Sequence, residues 1–193
     1  MPKKLIFMIG APGSGKSTYS DRINALHASD IESIHVGDIL RDEIEKDTTM
    51  GKIVEKYLEK GDLVPGDVVI YEVFGRIKNS PKNIVLMDGF PRGLNQMKTL
   101  GDTLLHEKGI ELVSVIELKV SKDIARERLL PDNPSEEEIT LFENKVKNYE
   151  EIIGKIEKYY EKDGLLTVID AEREREVVLQ EIDQHLSKLV ELY

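Results

Sequence analysis

Residues 10–17 read Gly-Ala-Pro-Gly-Ser-Gly-Lys-Ser, a complete G-x-x-x-x-G-K-[ST] spacing. An apolar run, Leu5–Ile9, precedes it, and a segment with helical character, Ser17 to Leu26, follows. Strand, loop and helix in that order are the context in which this spacing binds phosphate. Gly10, Gly13 and Gly15 can take backbone angles that a Cβ would forbid. The loop amides can then turn inward on phosphate oxygens, and the start of the helix adds the positive end of its dipole. Lys16 can reach the terminal phosphates, and the Ser17 hydroxyl can hold Mg²⁺. Gly13, Ser14, Gly15, Lys16, Ser17 and Thr18 are therefore the candidate nucleotide-phosphate residues.

A second constellation lies at Val85-Leu86-Met87-Asp88-Gly89-Phe90-Pro91-Arg92, with Gln96 four residues on. A buried strand ending in Asp88 can bring a carboxylate beside the Mg²⁺ of the phosphate loop. Arg92 follows that strand end and suits two-pronged recognition of a phosphate. Ser17 and Asp88 are the candidate metal residues.

These side chains must be positioned by the segments around them. Apolar runs of strand length occur at 5–9, 84–87, 112–118 and 165–169, with a weaker one at Ile31–Val36, and each precedes a helix-like segment. Alternating strand and helix predicts a parallel sheet covered on both faces. Two stretches break the alternation. Residues 37–78 hold helix-like segments without a strand, punctuated by Gly51, Gly61 and Pro65-Gly66. Pro131–Ser135 forms a loop before a long amphipathic helix, with Ser135 as its expected cap and Glu136–Glu138 near its positive end. Ligands of open α/β sheets bind at the carboxyl ends of strands, so both stretches should border the phosphate loop.

Composition narrows the class. A chain of 193 residues with 40% apolar content suits one domain. It has 27 Lys plus Arg against 37 Asp plus Glu, a net charge of −10, which argues against nucleic-acid partners. It has no cysteine, so disulfides and thiolate metal sites, structural zinc among them, are not expected. No apolar stretch approaches the roughly 20 residues of a membrane span, and the N-terminal residues run into a strand without a leader pattern. A cytoplasmic, monomeric protein with no membrane partner is the expectation.

The apolar-apolar-apolar-Asp-Gly-Phe-Pro-Arg-x-x-x-Gln string resembles the signature of the adenylate kinases and the wider nucleoside monophosphate kinases. The resemblance extends over nearly the whole chain: the phosphate loop, Gly37-Asp38-Ile39-Leu40-Arg41, Gly61-Asp62-Leu63-Val64-Pro65, Arg126-Glu127-Arg128-Leu129, Tyr159-Tyr160 and Val168-Ile169-Asp170. It implies a P-loop α/β fold with a five-stranded parallel sheet and helices on both faces. It also implies a helical monophosphate-binding insertion at about 35–66 and a short lid at about 130–138, within a single domain. The implied reaction is reversible Mg²⁺-dependent phosphoryl transfer from ATP to AMP. By resemblance, Arg41 and Arg92 grip the phosphate of AMP and Gln96 reads its base edge. Val36 and the stretch Asp62, Leu63 and Val64 enclose the adenine, beside Gly89, Phe90 and Pro91. Arg128 lies over the ATP base, the loop from Ala171 to Arg173 flanks it, and Lys16 stabilises the transferred group.

The chain departs from the family pattern in places. Val36 replaces a usual threonine, removing one hydroxyl contact worth about 1 kcal/mol, and Ser17 replaces a usual glycine. The lid stretch Pro131–Glu138 contains no arginine, and a family arginine on the next helix is Lys145. Removing a transition-state arginine can cost on the order of 10³–10⁵ in rate. Lys145 or Lys147 is the expected substitute. Two alternatives follow: a UMP/CMP kinase, which Gln96 disfavours, and a weakly active nucleotide-binding regulatory protein, which the depleted lid favours. A GTPase switch is disfavoured, since neither Asp-x-x-Gly nor Asn-Lys-x-Asp occurs.

Overall fold

The run Leu5–Ile9 becomes the middle of the sheet. In a computed structural model that describes residues 2–60 and 62–193, strand β1 (Lys3–Gly10) has β3 (Ile84–Asp88) on one side and β4 (Ile110–Lys119) on the other. Strands β2 (Ile31–His35) and β5 (Leu166–Asp170) complete the order β2-β3-β1-β4-β5, and every pairing is parallel. The sheet is the five-stranded parallel one expected. Gly61, part of the Gly61–Pro65 match, lies outside the described residues.

Side-chain alternation along β1 divides the core in two. Leu5, Phe7 and Ile9 enter one cluster with Val69, Val73 and Ile77 of α4 (Gly66–Asn79), Met97 and Leu100 of α5 (Leu94–His106), and Ile156 and Tyr160 of α7 (Glu136–Lys162). Ile6 and Met8 enter the other with Tyr19 and Ile23 of α1 (Lys16–Leu26) and Val178, Ile182 and Leu186 of α8 (Arg175–Leu192). Residues Leu5 to Met8 are wholly buried. At roughly 1.5–3 kcal/mol for each such side chain, β1 is strongly specified, and the phosphate loop hangs from its end.

The chain between β2 and β3 is helical: α2 (Val36–Glu45), α3 (Thr49–Glu59) and α4. The sequence places Val36 in a strand; here β2 stops at His35 and Val36 opens α2, where it is buried. At the other break, α6 (Lys122–Leu129) passes through residues 130–135 into α7. Ser135 caps α7 as expected, and the cap is reciprocal: its hydroxyl accepts from the Glu138 amide while the Glu138 carboxylate accepts from the Ser135 amide at 2.8 Å. Ala125 of α6 packs on Phe142 and Val146 of α7 and fixes the two arms of this turn.

One buried charge breaks the apolar pattern of β4. Glu117 is fully buried, its Oε1 accepts from the Tyr149 hydroxyl of α7 at 2.9 Å, and its Oε2 has no donor. Burial pushes Glu117 up to about 7; the Tyr149 bond opposes this and the neighbouring Glu157 carboxylate adds to it. A protonated Oε2 resolves the orphan, since it can donate to Glu157, itself paired with Lys119 at 2.7 Å.

A sign follows for stability. The proton on Glu117 stabilises the fold fully below the carboxylate's usual value of 4.5, and that contribution is lost as pH rises through about 7. The Glu117→Gln variant keeps the contact without the titration. Compared by urea unfolding, it should match the parent near pH 4.5 and exceed it at pH 8 by on the order of 2 kcal/mol.

Candidate functional site

The loop after β1 leaves the sheet at Gly10 with φ 150°, where a side chain would collide with the Leu118 carbonyl of β4. It enters α1 through Gly15 at φ 88°, a left-handed conformation that favours glycine. No side chain caps α1 and no acidic residue occupies its first turn. The first amides of α1 are thus left for an anion. Lys16 turns back over the loop, its Nζ 2.9 Å from the Gly10 carbonyl and 3.0 Å from that of Ala11. Burial lowers Lys16 to about 8; Asp88 acts against this and Arg92 adds to it. Two carbonyl acceptors stand in for the stronger partner, a phosphate oxygen, that the ammonium can take.

A cleft of ≈ 370 Å³ opens here, lined by Gly13, Ser14, Gly15, Lys16, Ser17, Thr18, Tyr19, Arg128, Leu129 and Arg175. All six loop residues expected to hold ATP are in it. Arg128 donates to the Gly13 carbonyl at 3.3 Å and to that of Ala171 at 2.9 Å, so it ties the loop to the turn after β5. Arg173 is not in the cleft lining: its Nε donates to the Asp170 carbonyl at 3.0 Å and its guanidinium pairs with Glu181 of α8. Arg175, two residues on and exposed, lines the cleft instead. Its sequence signal is its place as the first helical residue after the loop that follows β5.

Asp88 ends β3 and lies beside Met8 of β1 in the parallel register. Its Oδ2 accepts from the Ser17 hydroxyl at 2.6 Å and from His35 Nδ1 at 3.0 Å. Its Oδ1 is buried with no donor. An orphaned carboxylate oxygen next to a hydroxyl with free lone pairs fits Mg²⁺, a hard cation that takes one or two protein oxygens together with substrate phosphates and water. Among the described residues no group of three or more potential metal ligands occurs.

His35 bridges Asp88 to Asp21 of α1, its Nε2 2.9 Å from Asp21 Oδ1. Both nitrogens donate to ionised carboxylates only in the imidazolium. Burial works against that charge, but the hydrogen bonds to Asp21 and Asp88 outweigh it and raise His35 above its ordinary value. Sequence reasoning missed His35; a polar side chain at the carboxyl end of a strand was the available signal.

Beyond Asp88 the chain turns at Gly89, φ 83°, and passes through a cis Phe90–Pro91 peptide to Arg92. Phe90 and Pro91 are buried; Arg92 is exposed, and its Nε donates to the Gly89 carbonyl at 2.9 Å. Gln96 is buried and bridges two segments: Oε1 accepts from the Arg92 amide and Nε2 donates to the Val64 carbonyl, both at 2.7 Å. One N–H and one lone pair of this amide remain, a complementary pair for a purine edge. The bridge draws Val64 to the Arg92 turn; Asp62 and Leu63 are exposed, and the Asp62 amide bonds the Tyr57 carbonyl at 2.9 Å. Arg41, exposed on α2, pairs with Asp38. Lys145 lies exposed on α7 and is not in the cleft lining. No helix among the described residues is long and apolar enough to cross a membrane.

Comparison with known proteins places the sequence among named relatives. The model of the family described as adenylate kinase matches residues 8–165. An adenylate kinase from Nautilia profundicola is 40% identical over 183 residues, 94% of this chain and 95% of the relative. One from a Nitratiruptor strain is 37% identical, covering 98% of each chain. One from a Sulfurovum strain is 38% identical over 97% of this chain and all of the relative.

The Gln96 bridge makes a stability prediction apart from any ligand. The Gln96→Leu variant keeps the volume but leaves the Arg92 amide and the Val64 carbonyl unpaired. Urea unfolding should show a loss of about 2 kcal/mol. A change within a few tenths of a kcal/mol would mean that the bridge contributes nothing.

Proposed function

This chain belongs to the adenylate kinase family, and we propose that it transfers the terminal phosphoryl group of Mg-ATP reversibly to AMP, giving two ADP. One observation carries the reading. The phosphate loop with Lys16 and the Asp88–Arg92 turn spring from the adjacent ends of β1 and β3, where Met8 and Asp88 are in register. Two anion-recognising devices therefore face one spot. An enzyme that needs no covalent intermediate requires little more than such an alignment of donor and acceptor in a charge-neutralising cleft.

The residues divide the work. Gly13 to Thr18 receive the ATP phosphates on backbone amides, and Lys16 exchanges its loop carbonyls for phosphate oxygens. Arg128 and the Ala171–Arg173 turn flank the ATP base, with Arg175 across the cleft mouth. Ser17 and Asp88 receive the Mg²⁺ carried by ATP, which neutralises charge on the phosphate oxygens. Arg92 and Arg41 hold the AMP phosphate, Arg41 leaving Asp38 to do so. The free N–H and lone pair of Gln96 match adenine N1 and the 6-amino group, while Val36, Val64 and Phe90 wall the base.

The segment at about 35–66 is the AMP-binding insertion in this reading, and that at about 130–138 the lid over ATP. The lid brings no arginine, so Lys16, Arg128 and Arg175, which line the cleft, carry the positive charge on the donor side, with Lys145 of α7 reaching it on closure.

An ADP-forming assay with AMP, UMP, CMP and GMP as acceptors tests the specificity. AMP should give the highest kcat/KM, by roughly 10²-fold or more, because a site built to hydrogen-bond one base leaves groups unpaired with another. A higher value for UMP or CMP would overturn the assignment. The Arg92→Ala variant should lose on the order of 10³ in kcat/KM with its unfolding midpoint unchanged, since this exposed guanidinium contributes little to packing. The Lys145→Ala variant should lower kcat about tenfold and leave KM for ATP near the parent value, as for a contact that strengthens only in the transition state. Unchanged kcat there removes Lys145 from the machinery.

A further inference from the structure

Four side chains from three elements close a ring beside the phosphate loop. Ser17 and Asp21 stand one turn apart on the same face of α1. Asp88 closes β3, and His35 closes β2 immediately before α2. Ser17 donates to Asp88 Oδ2 at 2.6 Å, His35 Nδ1 lies 3.0 Å from the same oxygen, and His35 Nε2 lies 2.9 Å from Asp21 Oδ1. The ring holds one oxygen of Asp88 from two sides and leaves the other, Oδ1, buried without a donor. The Ser17 hydroxyl keeps its lone pairs while its proton is engaged.

The geometry points to His35 as a positioning residue that, braced by Asp21, fixes the Asp88 carboxylate so that Oδ1 and the Ser17 lone pairs face the cation of the incoming nucleotide. This rests on the reading that Asp88 and Ser17 receive the Mg²⁺ of Mg-ATP. A carboxylate pinned by one hydroxyl alone can swing about its last torsion, which is broad and roughly two-fold for aspartate. The second donor removes that freedom. His35 comes from β2, so the restraint is independent of the phosphate loop that Ser17 belongs to. Partners of this kind, which touch a ligand residue and not the ion, shift metal affinity by about 10–100-fold.

Calorimetric titration of the whole protein with ATP in excess Mg²⁺, and again with ATP in excess EDTA, gives the advantage Mg²⁺ confers on binding. In the His35→Ala variant that advantage should shrink roughly tenfold while affinity for ATP alone stays within about twofold. The His35→Asn variant, whose amide can still donate toward Asp88, should recover most of it. An undiminished advantage in His35→Ala overturns the proposal. So does an equal loss of both affinities, which marks a general structural role, and so does a His35→Asn variant no better than His35→Ala. The Asp88→Asn variant separates this inference from the reading beneath it. If Asp88→Asn leaves the advantage intact, Asp88 does not receive the cation and the reading itself fails. If Asp88→Asn abolishes it and His35→Ala does not, only the role of His35 fails.

Discussion

The phosphate loop depends on a helix start left open beside a buried lysine. Helix α1 begins without a side-chain cap, on a glycine at positive φ, with a lysine folded onto the carbonyls that precede it. Helix-start amides without side-chain partners and an ammonium whose charge burial disfavours are costly to keep out of water, yet they are what an anion of several charges requires. The fold tolerates them because β1, from which the loop hangs, is buried on both faces and flanked by strands on both edges. The stability resides in the strand, and the unsatisfied groups sit at its tip.

The second consequence of a central β1 is proximity. A parallel sheet sends all its strand ends to one edge, and the neighbours of β1 deliver their chemistry there. β3 brings Asp88 and the turn to Arg92, β2 brings His35 from one strand further out, and the segment after β5 meets the loop through Arg128. Buried polar contacts then fix angles that packing leaves open. Gln96 joins the Arg92 turn to Val64, and the Ser135–Glu138 box sets where α7 starts relative to α6.

The local parts of this arrangement were legible in the sequence, since the phosphate loop, the strand ending in Asp88 and the cap at Ser135 each depend on residues within a few positions of one another. What escaped depends on contacts between distant positions. His35 is 53 residues from Asp88, and nothing near it announces the bond. Its neighbour Val36 reads as the last residue of a strand, but the strand ends where His35 turns to its carboxylates, and Val36 begins the next helix. Arg173 and Arg175 are equally charged and two apart; their different surroundings follow from where α8 starts and from Glu181, which holds Arg173. Glu117 lies in an apolar run that reads as a plain strand, and only the fold reveals Tyr149 and Glu157 arriving from α7 to meet it.

The central claim is that two nucleotide sites open into one cleft and bring their phosphates together at the end of β1. A dinucleotide in which two adenosines are joined by a chain of phosphates would span both. Calorimetric titration of this compound, alone and in competition with ATP or with AMP, tests the claim most directly. The account predicts one molecule bound per chain, an affinity well above that of either mononucleotide, and displacement by both. Binding of two molecules per chain, or displacement by ATP alone, would contradict it.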